Sequence, residues 1–378
     1  MQPIKSLIRD NVKNLKPCVH GAEVLGAAEE SGLLPQNILD FSSSVNPLGP
    51  SKKALDAARG AFNQIAAYPD SNSNELRQVI ASHFGINKGN IIVGNGSTEL
   101  MYLFAEVFVK KGDRTVMPAP TFGEYASAVC KTGETTTFVK LGKTFMIEPE
   151  VFKREIAGAK LVFLCNPNNP TSMLISQEIL EEIIETTLAQ DTLVFLDEDF
   201  LEFVDNEKSL SMINRINKYP NLFILRSFTK IFGLTGLRVG YGLANPEIIN
   251  VLSSAKIPWN VNCIAQAAAV AALKDEKHLR VTVELIQKEK AWLIGEFGKF
   301  VGFKFIAPDA NFFFIDVRKS GFTAAELKRK MLKQGILIRD CTSFMGLDEF
   351  YIRVAVKTHQ ENERMINAFR QLVKQSES

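Results

Sequence analysis

A chain of 378 residues with 46% hydrophobic and 23% charged side chains has the composition of a folded protein with a substantial core, which excludes extended disorder. Its formal net charge of +2 leaves no basic footprint for nucleic acid or an anionic membrane, so neither is expected as a partner. The five cysteines (Cys18, Cys130, Cys165, Cys263 and Cys341) are scattered without metal-ligand spacing; free thiols, no metal and a reducing compartment are expected.

At the N-terminus nothing reads as a signal peptide, and no apolar run is long enough to span a bilayer, so the expected location is the cytoplasm. Residues 1–48 form an expected arm with a short extended segment. PCVHGAEVLGAAEE carries His20 and Gly21, and DFSSSVNPLGP, with Asn46, ends in an Asn-Pro turn. From Ser51, a candidate N-cap, a helix is expected to Ile65; Tyr68-Pro69-Asp70 breaks it, and Asn74–Phe84 is a second amphipathic helix. Ile91–Val93 is a short strand running into GNGSTEL and a helix over Ser97–Val109. Buried strands are expected at Thr115–Met117, Leu161–Leu164, Leu193–Leu196, Leu222–Leu225 and Val239–Leu243. Helices at Phe122–Lys131, Ser176–Ala189 and Ser209–Lys218 fill gaps between them. This alternation implies a large α/β domain, residues 49–272, with a mostly parallel sheet covered by helices. Residues 273–378 read as a smaller α+β domain: helix Glu276–Phe300, the apolar NFFFIDV, helix Thr323–Gln334, strands Ile336–Ile338 and Tyr351–Ala355, and a closing helix from His359.

The chemistry concentrates in Asn221–Tyr241, NLFILRSFTKIFGLTGLRVGY, where a buried strand delivers Ser227, Thr229 and Lys230, then glycines, then Arg238. A lysine at a strand end becomes a nucleophile once its charge is suppressed, and its neutral amine condenses with an aldehyde. Pyridoxal phosphate (PLP) brings both an aldehyde and a phosphate for Ser227 and Arg238 to hold. Taken alone, Ser-x-x-Lys is more often an ordinary solvated loop. Gly94–Glu99 follows a strand and opens a helix, where glycines admit an anion and amides face it; the same sequence also suits an ordinary βα turn. CNPNNPTS, Cys165–Ser172, turns through two Asn-Pro steps. Asp197-Glu198-Asp199-Phe200 places a carboxylate at a strand end, costly there without a partner.

Together SFTK…LTGLRVGY, GNGSTEL, NPNNPT and the DEDF that follows a strand resemble the fold-type I PLP-dependent aminotransferase superfamily over nearly the whole chain. The nearest resemblance is to the branch of histidinol-phosphate aminotransferases and L-threonine-O-3-phosphate decarboxylases. It implies PLP borne by Lys230, with its phosphate held by Gly96, Ser97, Thr98, Ser227 and Arg238. Phe122 would stack on the ring, contributing roughly 0.5–1.5 kcal/mol beyond burial. Asn169 would donate to the ring oxygen, and Asp197 would pair with the pyridine nitrogen and keep it protonated. Lys230 and Asp197 are thus the expected catalytic pair. Tyr68 would reach the cofactor phosphate of a neighbouring subunit, implying a homodimer with shared active sites.

On the substrate side, His20, Gly21, Asn46, Arg339 and Arg353 are expected to receive a small phosphorylated amino acid. The chain departs from the pattern at Ser172 (glycine expected), Phe200 (tyrosine), Ala22 (a second glycine) and Ser44 (asparagine). Within the branch, HGA…DFSSSVNPLGP, GNGSTELMYL and DE-x-F are more similar to the decarboxylase. The expected reaction is therefore decarboxylation of L-threonine O-3-phosphate to (R)-1-aminopropan-2-yl phosphate, a cobalamin precursor. The alternative is amino transfer between histidinol phosphate and 2-oxoglutarate, a step of histidine biosynthesis.

Overall fold

The computed structural model describes residues 4–13 and 15–376. A two-residue strand, β1 (Leu39–Asp40), precedes the main sheet. That sheet takes β2 (Ile91–Gly94), β3 (Thr115–Ala119), β4 (Thr136–Lys140), β5 (Leu161–Cys165), β6 (Leu193–Asp197), β7 (Leu222–Ser227) and β8 (Gly240–Ala244). Their spatial order is β2-β8-β7-β6-β5-β3-β4. Neighbours are parallel except at β8, which runs antiparallel to both β2 and β7. The first residues of β8 therefore lie at the edge where the other strands end.

Continuous apolar runs explain the centre of this sheet: Leu161–Leu164, Val194–Leu196 and Leu222–Leu225 are wholly buried, as strands covered on both faces must be. Alternation splits them between two cores. Val162, Leu164, Val194, Leu196, Leu222 and Ile224 face helices Asn74–Phe84, Gln177–Leu188 and Cys263–Leu273. Leu161, Phe163, Phe195, Phe223 and Leu225 face helices Ser97–Phe108, Glu124–Thr132 and Pro246–Ala255. Each such side chain contributes about 1.5–3 kcal/mol through burial.

The C-terminal part adds an antiparallel sheet of β9 (Lys304–Phe305), β10 (Phe312–Asp316), β12 (Arg339–Asp340) and β13 (Tyr351–Ala355), ordered β12-β13-β10-β9. Between α-helix Ala324–Leu332 and β12, β11 (Ile336–Leu337) pairs in parallel with β1. Phe41, fully buried, continues the stitching: its N–H donates to Leu337 O at 2.8 Å and its carbonyl accepts from Ala355 N–H at 2.9 Å. The N-terminal segment is thereby fixed against the strands that carry Arg339 and Arg353.

Several local expectations change. The helix expected over Ser209–Lys218 is instead a turn of helix at Glu207–Leu210 and a 3-10 turn at Met212–Arg215. Ser211 interrupts it, because its hydroxyl and the Met212 N–H both donate to the buried Glu198 carboxylate, at 2.7 and 2.9 Å. Strand β4 has no counterpart in the sequence reading; it is a partly exposed edge strand beginning with threonines, without the apolar run of the central strands. No described helix is long and apolar enough to cross a membrane.

Candidate active site

In open α/β sheets ligands sit beyond the carboxyl ends of the strands, and here those ends converge. Ser97 and Thr98 follow β2, Phe122 follows β3, Asn169 follows β5, Asp197 ends β6 and Lys230 follows β7. Arg238 arrives from the opposite direction, two residues before antiparallel β8. All seven line one cavity of about 180 Å³.

At one end of that cavity the β2 turn makes an anion cradle. Gly96 has φ +80°, a conformation that strains other residues, and the Arg238 guanidinium crosses the turn 2.5 Å from where a Cβ would stand. Arg238 is itself left-handed, with φ +58°, and Nη1 donates to Thr235 O at 2.9 Å. A Cβ on Gly240 would meet Ser97 N at 2.6 Å, which keeps β8 tight against the helix Ser97–Phe108. The first amides of that helix have no intrahelical acceptor, and its dipole favours an anion there. Ser227 does not line the cavity; its hydroxyl accepts the Thr229 N–H at 2.9 Å and shapes the turn that presents Lys230.

At the other end the groups are tuned by burial. Asp197 is 4% exposed and accepts from Tyr125 Oη at 2.7 Å and from Asp199 N–H at 2.9 Å. Burial pushes its carboxyl up, and these two bonds oppose the push. Burial pushes the Lys230 ammonium down, reinforced by Arg353 and Arg238 and opposed by Asp199 and Asp197. The neutral amine needed for condensation is thus favoured. Arg353 Nη1 donates to Asn169 Oδ1. A guanidinium has only donors, so this contact fixes the Asn169 oxygen and leaves its NH2 for another acceptor. Phe122 meets Tyr125 edge-on, with centroids 5.6 Å apart.

A second cavity of about 200 Å³ shares Phe122, Asn169, Thr229 and Lys230 with the first and opens toward His20, Gly21, Arg339 and Arg353. Arg339 Nη2 donates to Val19 O at 2.7 Å and to Ser343 Oγ at 2.8 Å, and Arg353 Nη2 donates to Ser42 O at 2.6 Å. Burial pushes Arg353 down to about 10, which leaves it charged at neutral pH. His20 Nε2 sits 2.8 Å from Glu124 Oε1, and Tyr102 donates to Oε2 at 2.6 Å. The His20 bond is the main reason that the Glu124 carboxyl lies below its usual range. A Cβ on Gly21 would meet Ser42 O at 2.5 Å, and Ala22 keeps a glycine-like φ of +65°. Ser172 likewise keeps φ +64°, and its hydroxyl ties the loop to Ala310 N–H at 3.0 Å.

Besides Ser227 and Gly96, whose backbone turn frames the cradle, Asn46 and Tyr68 also stand outside these cavities. Asn46 is buried; its side chain donates to Ile231 O at 2.7 Å and Thr282 Oγ1 at 3.0 Å and accepts from Leu48 N–H at 2.9 Å. It braces the Lys230 loop, whose carbonyl also accepts the Asn46 N–H at 3.0 Å, and is not a substrate ligand. Tyr68 is 79% exposed and stacks on Trp259 at 4.6 Å. Sequence reasoning missed Tyr125, Glu124 and Asp199. The first two lie just beyond Phe122 at a helix start, and Asp199 lies inside the tetrapeptide that supplied Asp197, so position was the available signal.

A family model described as aminotransferase class I and II matches residues 36–369. The chain belongs to that family. Class I and II aminotransferases use PLP, and PLP is the cofactor of this enzyme. The residues present fit it: a glycine cradle crossed by Arg238, a lysine biased toward its neutral form and a buried carboxylate opposite.

The histidinol-phosphate aminotransferase of Methanosphaera stadtmanae is 35% identical over 365 residues, covering 96% of this chain and 98% of that protein. Further relatives at 32–36% identity are named for the same activity. Among solved structures, the histidinol-phosphate aminotransferase of Clostridium acetobutylicum superposes with TM-score 0.84 at 30% identity, covering 89% of this chain and all of that one. The L-threonine-O-3-phosphate decarboxylase of Porphyromonas gingivalis reaches 0.80 at 27%, covering 88% and 99%.

The near-full-length relatives overturn the expectation of threonine-phosphate decarboxylation and of a carboxy-lyase in cobalamin synthesis. The structure supplies the physical reason. Part of what favoured the decarboxylase does structural work: Asn46 braces a loop, and Gly21 allows backbone contact with Ser42. They carry no information about which bond breaks.

Proposed function

We propose that this enzyme transfers an amino group between histidinol phosphate and 2-oxoglutarate. The observation that carries this reading is the near-full-length similarity to histidinol-phosphate aminotransferases, with a cavity that adjoins two buried arginines supporting it. When bound, PLP supplies an aldehyde for the substrate amine and a ring that accepts electrons from Cα. Lys230 holds the cofactor and, once free, moves the proton at the substrate Cα. Asp197, held by Tyr125, keeps the pyridine nitrogen protonated. Asn169, oriented by Arg353, donates to the ring oxygen; Phe200 has no hydroxyl to add a second bond.

Arg339 and Arg353 receive the phosphate of one substrate and a carboxylate of the other, both suited to bidentate guanidinium contacts. Histidinol phosphate has no α-carboxylate, so the bond at its Cα open to cleavage is the C–H bond. The test is glutamate formation from histidinol phosphate and 2-oxoglutarate by purified holoenzyme. No glutamate from this pair, with ready turnover of another amino donor, would overturn the substrate assignment.

The same reading includes a homodimer with shared sites. It is supported by exposed apolar side chains at Phe62, Ile65, Tyr68, Ile257 and Trp259, a costly group to leave in water. Light scattering should give twice the chain mass of 42.0 kDa; a monomer at working concentration would refute it.

A further inference from the structure

The loop after β6 places a second carboxyl in the cofactor cavity. Asp199 lines it together with Ser97, Lys230 and Arg238 and is only 8% exposed. Its Oδ2 accepts from Ser97 Oγ at 3.1 Å. Its Oδ1 is shut off from solvent and has no hydrogen-bond partner among the described residues. An oxygen left unpaired out of water is costly as a carboxylate unless an opposite charge stands in the same cluster of groups.

The charged groups that face this position narrow the choice. On the same loop, Asp197 already accepts two bonds, and Glu202 is held by the fully buried Arg226, 2.9 Å away. Arg238 comes from the start of β8 and lies across Gly96. Arg353 comes from β13 and donates to Asn169 and Ser42. Lys230, after β7, has its Nζ 5.1 Å from the Phe200 ring centre, and that ring offers no acceptor oxygen.

We propose that Asp199 is the counter-charge of the Lys230 nitrogen, a charge-setting residue that offsets Arg353 and Arg238 and helps to keep that nitrogen protonated when the cofactor is attached. The proposal rests on Lys230 as the cofactor-bearing lysine. Electrostatics agree with the geometry: Asp199 is the foremost charge favouring protonation of Lys230, while burial and then Asp197 push the Asp199 carboxyl upward. Lys230 in turn opposes that upward push on Asp199.

The test uses holoenzyme without substrate. The visible absorbance of bound PLP is titrated against pH in the wild type, in Asp199→Asn, which keeps the size and an acceptor for Ser97, and in Asp199→Ala. Borohydride reduction and peptide mapping accompany each titration. Loss of an opposite charge from the same cavity should lower the absorbance midpoint by about one pH unit or more in both variants. A midpoint at or above the wild-type value in either variant overturns the proposal; if one variant fails to fold, the other carries the test. A purely structural role would lower thermal stability or cofactor retention without moving the midpoint, and so also counts against it. A label mapped to another lysine would overturn the attachment as well. A label on Lys230 with an unmoved midpoint overturns only the role of Asp199.

Discussion

Replacing Tyr125 with phenylalanine removes one hydroxyl from beneath the cofactor site and little else. The ring keeps its stack on Phe163, at 5.3 Å, and its edge contact with Phe122. What is lost is the 2.7 Å bond to Asp197 Oδ2, one of two that hold down a carboxyl pushed up by burial. A hydrogen bond to a charged group contributes about 1.5–3 kcal/mol, and one pKa unit corresponds to about 1.4 kcal/mol. The Asp197 pKa should therefore rise by roughly one to two further units. On the proposal that the ionised Asp197 carboxylate would hold the pyridinium, the acid limb of the kcat/KM profile should move to higher pH by the same amount. Near that limb the variant should be at least about tenfold slower, and above it the two enzymes should converge.

The same shift has a consequence for stability. The folded-state pKa of Asp197 is raised above its unfolded value, so its carboxyl supports the apo fold at acid pH and this contribution is lost as pH rises through the folded pKa. Tyr125→Phe should enlarge that loss. Both effects are read at saturating PLP, for activity, and on apoenzyme, for melting. An unmoved acid limb would show that Tyr125 does not tune Asp197.

Other outcomes follow from single contacts. Gly96→Ala forces φ +80° on an L-residue and puts a methyl 2.5 Å from Arg238 Nη2, so PLP should dissociate at least about tenfold more readily, measured by equilibrium binding. Glu124→Gln weakens the hold on His20; KM for the phosphorylated substrate should rise several-fold while kcat stays near wild type, and an unchanged KM would remove His20 from the substrate wall. Ala22→Gly relieves a φ of +65° and should raise the unfolding free energy by up to about 1 kcal/mol, read by denaturant melts.

The sheet and most of the cofactor side were legible because each depends on local pattern. Strands such as Leu222–Leu225 are unbroken apolar runs, and Lys230, Asp197 and Asn169 sit immediately beyond such runs. Contacts between distant segments were not legible. Nothing near Asn46 says that its amide would reach Thr282, 236 positions away, or that Arg353 would meet Asn169, 184 positions away. Likewise Ser211 gave no warning of the buried Glu198 that breaks the helix around it. The misjudged reaction has a related origin: the VNPLG segment reads as a substrate contact, whereas Asn46 within it braces the loop of Lys230.

The half-reaction tests the central claim most directly. Holoenzyme mixed with histidinol phosphate alone should lose its visible PLP absorbance stoichiometrically as the cofactor takes the amino group, release no CO2, and regain the absorbance on addition of 2-oxoglutarate. Lys230→Ala should show no such cycle. Absorbance that stays unchanged with histidinol phosphate but bleaches with a different amino donor would contradict the account.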